Sequence, residues 1–268
     1  TFMAFDTAGN RLLGSEPLLN DDLIGAPATR PSAVNSSDFL ELFAYQSRQH
    51  DDGDIYVSCV SHAGVKPYPS QRVNQDTGYN LQAEPYVTKS PRGCLVVWLD
   101  ARAINGSTGQ RIFGRYGNLL GLFSLPEFII TDSTQTAIKS SPKAISTAFG
   151  RGLVVWLDRR SGSSQVYGRW LAASGELDGS EFLISTPASD LVNTELQVGV
   201  DSLDRFYVVW LDAGLTPATV KGRWYNADKS LGGSLSFSAT PVGVTISEFS
   251  AGVTDSGLIS LLWTGIDV

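Results

Sequence analysis

The chain has 268 residues, 42% of them apolar and only 18% charged, with a net charge of −7. That apolar content excludes a disordered chain, and an acidic balance without a basic run argues against binding along a phosphate backbone. Two His and two Cys argue against a structural zinc cage or a His-dependent triad, and no run of roughly 18 apolar residues spans a membrane.

In chain order, the first segment carries Phe2-Met3-Ala4-Phe5-Asp6-Thr7-Ala8-Gly9 and then Gly14-Ser15-Glu16-Pro17-Leu18-Leu19-Asn20. It matches a later stretch, Trp170 to Gly175 followed by Gly179 to Ser185. Next comes a weak unit with Leu42-Phe43-Ala44 and Ile55-Tyr56-Val57-Ser58-Cys59. A strong unit follows: Leu95-Val96-Val97-Trp98-Leu99-Asp100, then Gly114-Arg115-Tyr116, then Glu127-Phe128-Ile129-Ile130-Thr131. Its first motif returns as Leu153 to Asp158, as Tyr207 to Asp212, and in degraded form as Ser260-Leu261-Leu262-Trp263. The second motif returns as Gly168-Arg169-Trp170 and Gly222-Arg223-Trp224.

The period is about 54 residues, and each unit reads as four short β-rich runs separated by Gly, Ser and Asn clusters. In the third unit the runs are predicted near 142–148, 152–158, 165–171 and 181–185. Four antiparallel strands per repeat of this length describe a propeller blade. The expected fold is therefore all-β, a five-bladed β-propeller in one domain over 1–268. Its blades are expected at 27–76, 77–132, 133–187, 188–241, and 242–268 joined by 1–22. In that arrangement the N-terminal strands complete the C-terminal blade and close the ring. Val96, Val97 and Trp98 run on without polar alternation, as expected where neighbouring blades cover both faces of a sheet.

Trp98, Trp156, Trp210 and Trp263 are expected as core rings between blades. Asp100, Asp158 and Asp212 follow the first three by two residues, where an Asp fixes a turn and an Arg clamps it. Gln46 and Gly265 stand at this position in the first and last blades. Trp170, Trp224 and Tyr116, with Arg115, Arg169 and Arg223, are the candidates for a ligand platform, against a core reading of the same rings. Glu84, Glu195 and Glu248 each open a first strand, 14 or 15 residues before a Trp. Carboxylates gathered at one mouth are what glycosidic bond cleavage requires. The acidic loop Asp51-Asp52-Gly53-Asp54 lacks the spacing of a calcium loop and reads as solvated. Cys59 and Cys94 fall on adjacent blades, either as a disulfide or as two buried thiols. His50 and His62 read as surface residues. No metal or cofactor is expected.

The repeat Leu-Val-Val-Trp-x-Asp-x-Arg, then Gly-Arg-Trp/Tyr, then Phe-x-Ile-Ser/Thr, clearest over 77–241, resembles that of secreted bacterial and archaeal β-propeller proteins. The blade count is similar to that of tachylectin-type lectins, whose own motifs are absent. Five-bladed glycosidases place their acids comparably to Glu84, Glu195 and Glu248, although their Asp-bearing patterns are not found here. The resemblance implies an extracellular or cell-surface module, the periplasm included, and the expected role is non-catalytic, through protein–protein or surface contacts. The partner would be a protein or a surface saccharide. The alternatives are a lectin-like propeller and a glycoside hydrolase-like enzyme.

Overall fold

The structure is a computed structural model, which describes residues 28–37, 39–48, 53–132, 134, 136–186, 195–214, 218–237 and 244–267. Among the described residues there are strands and no helix. The chain divides into two compact units, Thr1–Ser133 and Thr134–Val268. The first unit holds β1 (Ala28–Ser37), β2 (Leu40–Ser47), β3 (Asp54–Ser61) and β4 (Gln71–Arg72) in one sheet. Its second sheet holds β5 (Gln82–Ser90), β6 (Gly93–Asp100), β7 (Arg111–Gly117) and β8 (Phe128–Ile129). The second unit begins with β9 (Lys139–Ser146), β10 (Gly152–Asp158), β11 (Gln165–Leu171) and β12 (Leu177–Leu183). A further sheet has β13 (Leu196–Val200), β14 (Phe206–Asp212), β15 (Thr219–Tyr225) and β16 (Leu231–Phe237). The last pairs only β17 (Val244–Val253) with β18 (Ile259–Asp267).

Every pairing is antiparallel between consecutive strands, so each four-stranded sheet is a meander. This is consistent with propeller blades. In the 54-residue unit around Trp156 the middle two strands lie where the pattern predicts them. The fourth starts four residues early. A tight turn, with Gly175 N–H donating to Ala172 O and Ala172 N–H to Glu176 O, lets pairing resume at once. The first also starts early, because Lys139 and Ser140 still pair with Asp158 and Leu157 beyond a bulge.

The cores lie between sheets inside each unit. In the first, Leu42, Ala44, Ile55 and Val57 meet Val87, Val96, Trp98 and Phe113. In the second, Leu153, Val155, Leu157 and Trp170 meet Leu196, Phe206, Val208 and Trp210. Val209, Leu211 and Val220 use the other face of their sheet to meet Ile246 and Phe249. Each fully buried Val or Leu contributes about 1.5–3 kcal/mol. Strands β6, β10 and β14 are buried at every position, which explains their lack of alternation. The repeated glycine of Gly-Arg-Trp/Tyr also has a packing cause. A Cβ at Gly114 or Gly168 would stand 2.9 or 2.7 Å from the Ile of the fourth-strand motif, Ile130 or Ile184.

Trp98 and Trp156 are fully buried, and Trp210 is 3% exposed. The last Trp departs from the expected core position: Trp263 is 37% exposed on the two-stranded sheet. The Asp two residues after each buried Trp is itself buried. Asp100 accepts from Trp98 Nε1 at 3.2 Å, from the Arg102 backbone N–H at 2.9 Å and from Arg102 Nη2 at 2.5 Å. Asp158 accepts from Trp156 at 3.1 Å and from Arg160 Nη2 at 2.6 Å, and Lys139 stands 3.8 Å away. The partners are thus the arginines at the hairpin tip, not those of the returning strand. Burial pushes the Asp158 carboxyl up, but Arg160, the Trp156 indole and Lys139 outweigh it and hold it below its ordinary value. Asp212 has Gly214 where the arginine would be, and Lys221 pairs with it from the returning strand instead. Among the described residues Trp210 Nε1 and Asp212 Oδ1 have no hydrogen-bond partner.

Of the two readings of the cysteines the second holds: Cys59 and Cys94 are buried free thiols. They sit in the packed core between the two sheets of the first unit, and burial pushes the Cys94 thiol up to about 12. The expected pairing of Phe2 to Phe5 beside Leu258 to Trp263 lies outside the described residues, as do His50, Asp51 and Asp52.

Two outcomes follow for this packing. Asp158→Ala strands the Lys139 and Arg160 charges and should cost about 3–5 kcal/mol in urea denaturation, more than Asp212→Ala, whose clamp has a single cation. Thiol titration of the native protein should detect neither cysteine at pH 8 and both in denaturant.

Candidate active site

The first strand of a sheet pairs on only one side within its own sheet. In β1, β5, β9 and β17 that strand is also kinked at one repeated place, whereas β13 pairs without a shift. The ladder shifts between Thr29 and Ser32 in β1, between Ala83 and Tyr86 in β5, opposite Val155 and Leu157 in β9, and between Ile246 and Glu248 in β17. Three non-glycine residues there adopt left-handed backbone: Arg30 (φ 53), Glu84 (φ 52) and Ser141 (φ 52). Each precedes a proline, at 31, 85 and 142. Proline has no N–H, so leaving the ladder at that step orphans no donor. A left-handed non-glycine residue costs about 1–2 kcal/mol, and a bulge turns its side chain away from the regular alternation. Such strain is characteristic of functional positions.

Glu195 and Glu248 occupy the same repeat position, so the five units carry Arg30, Glu84, Ser141, Glu195 and Glu248 there. Counting back from the Trp residues finds the three glutamates but misses Arg30 and Ser141, which are not carboxylates. The signal that finds them is the X-Pro pair: Arg30-Pro31, Glu84-Pro85, Ser141-Pro142.

The three glutamates do not share one environment. Glu84 belongs to the first unit, where Arg30 Nη1 pairs with its carboxylate. Glu195 and Glu248 belong to the second. There β13 packs against both β9 and β17, so Lys143 of β9, Glu195 just before β13 and Glu248 of β17 come from neighbouring first strands. Burial raises the Glu195 carboxyl above its ordinary value; Lys143 acts against this and the negative charge of Glu248 adds to it. Glu195 is half-buried and Glu248 exposed. Two carboxylates in unlike surroundings are what acid–base chemistry on a glycosidic oxygen uses. Among the described residues no group of three or more His, Cys, Asp or Glu is gathered to hold a metal ion.

In the first unit a cleft of about 360 Å³ opens between the ends of β1, β2, β5 and β6, lined by Arg30, Gln46, Arg48, Glu84, Asp100 and Gln110 among others. It lies at the lower end of the roughly 300–1,000 Å³ typical of small-molecule sites.

The predicted ligand platform is corrected by packing. Trp170 is 6% exposed, stacks on Phe182 at 5.8 Å and meets Phe206 and Tyr225 edge-on. Tyr116 is buried and stacks on Phe128 at 5.7 Å, and burial pushes its phenol up to about 12. These rings have no free face for a sugar. Trp224 is half-buried and stacks on Tyr207. Arg115 is buried and donates to Leu125 O and Val73 O at 2.7 and 2.8 Å; Arg169 donates to Gly179 O at 3.0 Å. Arg223 interacts with Tyr225. These bonds hold the third strand to what surrounds it. Asp54, expected in a solvated loop, is instead buried, with Arg72 at 2.8 Å and Asn74 Nδ2 at 2.7 Å. His62 lies on the surface, 3.4 Å from Glu41.

No family model and no curated protein matches the sequence. Solved structures match the fold. An endo-arabinase from Bacteroides thetaiotaomicron aligns with a TM-score of 0.53 at 10% identity, over 92% of this chain and 92% of that one. A protein of unknown function from Dyadobacter fermentans aligns with a TM-score of 0.59 at 11% identity, over 92% and 77%. An α-L-arabinofuranosidase from Podospora anserina gives 0.54 at 10%, over 95% and 90%. At this identity the likeness is one of fold. Those of these neighbours named for an activity carry the names of glycosidases, an endo-arabinase and an α-L-arabinofuranosidase, the latter solved with cellotriose. This corrects the expectation of a non-catalytic binding or scaffold module and favours the alternative built on carboxylates.

The Glu195 environment has a pH consequence. The native state holds this proton more tightly than the unfolded chain does. The associated stability is fully present below the ordinary glutamate range and is lost as pH rises through the raised native value. Glu195→Gln should flatten that part of a stability-versus-pH curve measured by urea denaturation.

Proposed function

We propose that the chain is a glycoside hydrolase-like enzyme in which Glu195 is the general acid and Glu248 the second carboxylate. The observation that carries the reading is the raised Glu195 carboxyl beside Glu248 on adjacent first strands. In this role Glu195 gives its proton to the leaving glycosidic oxygen. Glu248 activates water, or attacks the anomeric carbon, and offsets the positive charge that develops on the sugar ring. Lys143 opposes the raised Glu195 value and so keeps the acid able to reionise after each transfer. The arabinan-directed names among the fold neighbours make arabinan and α-L-arabinofuranosides the first substrates to try.

The finer architecture belongs to the same reading: five blades, with residues 1–22 completing the last. Its support is that β17 and β18 form a two-stranded sheet beside four-stranded ones, with Leu262 76% and Trp263 37% exposed. An extracellular or cell-surface location fits a polysaccharide substrate.

Glu195→Gln and Glu248→Gln should each lower arabinan hydrolysis by about 10²–10⁴-fold with no loss of Tm. Glu195→Gln should spare nitrophenyl glycosides, whose leaving group needs no proton. Full activity in Glu195→Gln, or no turnover by the unmodified chain on arabinan, arabinoxylan and galactan, overturns the assignment. Removal of residues 1–22 should lower Tm by several degrees in calorimetry; an unchanged Tm would remove the closure.

A further inference from the structure

The cleft of the first unit contains a dismantled copy of the Asp–Arg clamp. In β6 and β10 the position two after the core residue is Asp, and the next position but one is Arg: Asp100 with Arg102, Asp158 with Arg160. In β2 the same two positions hold Gln46 and Arg48. The arginine is kept and its carboxylate is replaced by a neutral amide. Gln46 is 3% exposed and lines the cleft. Among the described residues its side chain makes no hydrogen bond, and Arg48 makes no ion pair.

The other charges at the cleft are already matched. Arg30 pairs with Glu84, and Asp100 is held by Arg102, itself also paired with Glu127. Arg48 is exposed and remains the one uncompensated charge among the described lining residues. A positive spot with an unused amide, in a chain of net charge −7, suits a planar anion. A guanidinium binds a carboxylate through two parallel N–H donors, and the Gln46 amide supplies a further donor.

We propose that this cleft binds the carboxylate of a small ligand, carried by a uronic acid sugar or by a simple organic acid. The ligand carboxylate takes the place that Asp100 and Asp158 fill in their own hairpins. The proposal uses residues of the first unit alone and does not depend on the roles given to Glu195 and Glu248.

The test is calorimetric titration of the full chain with D-galacturonate, D-glucuronate, acetate, and the neutral sugars galactose and glucose. Uronate binding is expected, with the neutral sugars weaker by about tenfold or more. Arg48→Gln should weaken uronate binding by about tenfold. Gln46→Asp should do the same while raising Tm, because the restored carboxylate captures Arg48. Acetate as strong as the uronates supports the carboxylate and assigns it to an organic acid; acetate weaker assigns it to the sugar acid. No uronate or acetate binding at 10-fold excess over millimolar protein, neutral sugars bound as well as uronates, or binding unchanged in Arg48→Gln overturns the proposal. If Gln46→Asp fails to fold, Arg48→Gln alone decides.

Discussion

A strand that is apolar on both faces cannot be covered by its own sheet. This constraint governs the molecule. Strands β6, β10 and β14 are buried throughout, so their sheets must stack on neighbouring sheets, and the low charge content of the chain follows. Where such a strand ends, its last residue must still meet the needs of the backbone and of the indole two residues earlier. A buried Asp does both, and it is tolerable only because a cation comes with it. Trp, Asp and Arg therefore act as one unit at the hairpin tip. Where the arginine is replaced by Gly214, a lysine from the returning strand substitutes, and some polar atoms go without partners.

Because the frame is repeated, the same place recurs with different chemistry. One repeat position near the start of the first strand carries Arg30, Glu84, Ser141, Glu195 and Glu248 in turn, and at Arg30, Glu84 and Ser141 it is bulged and left-handed. At Arg30, Glu84 and Ser141 the backbone device is kept while the side chain changes, as expected where the fold supplies position and the residue supplies function. The clamp behaves likewise: Asp100 and Asp158 close it, and Gln46 leaves it open. Divergence at a position that the frame holds still is easier to read than divergence in a loop, since the intact copies show what has been removed.

Distant segments decided what the sequence left open, and overturned one reading, that of Asp54. Trp170 and Tyr116 look like platforms because aromatic rings on an outer strand resemble exposed ones, but the fourth strand folds Phe182 and Phe128 over them. Asp54 looks solvated within an acidic run, but Arg72 and Asn74 arrive from residues about 20 further along and bury it. Cys59 and Cys94 come to one core, yet remain thiols. Each case concerns what a distant segment places beside the residue, and a linear pattern carries no such information.

The sequence by itself determined the strands, their antiparallel order, the 54-residue period and an Asp–Arg clamp at the hairpin. These depend on neighbours within a few residues or on exact repetition, and both are visible in a single chain. Only the tertiary structure decided which glutamates share surroundings, that Glu195 is raised while Glu84 is paired with Arg30, and that Gln46 and Arg48 face a cleft with their clamp undone. A carboxyl group's proton affinity depends on the burial and charges that adjacent sheets bring to it. Those contacts join residues more than fifty positions apart, so they exist only once the sheets have packed.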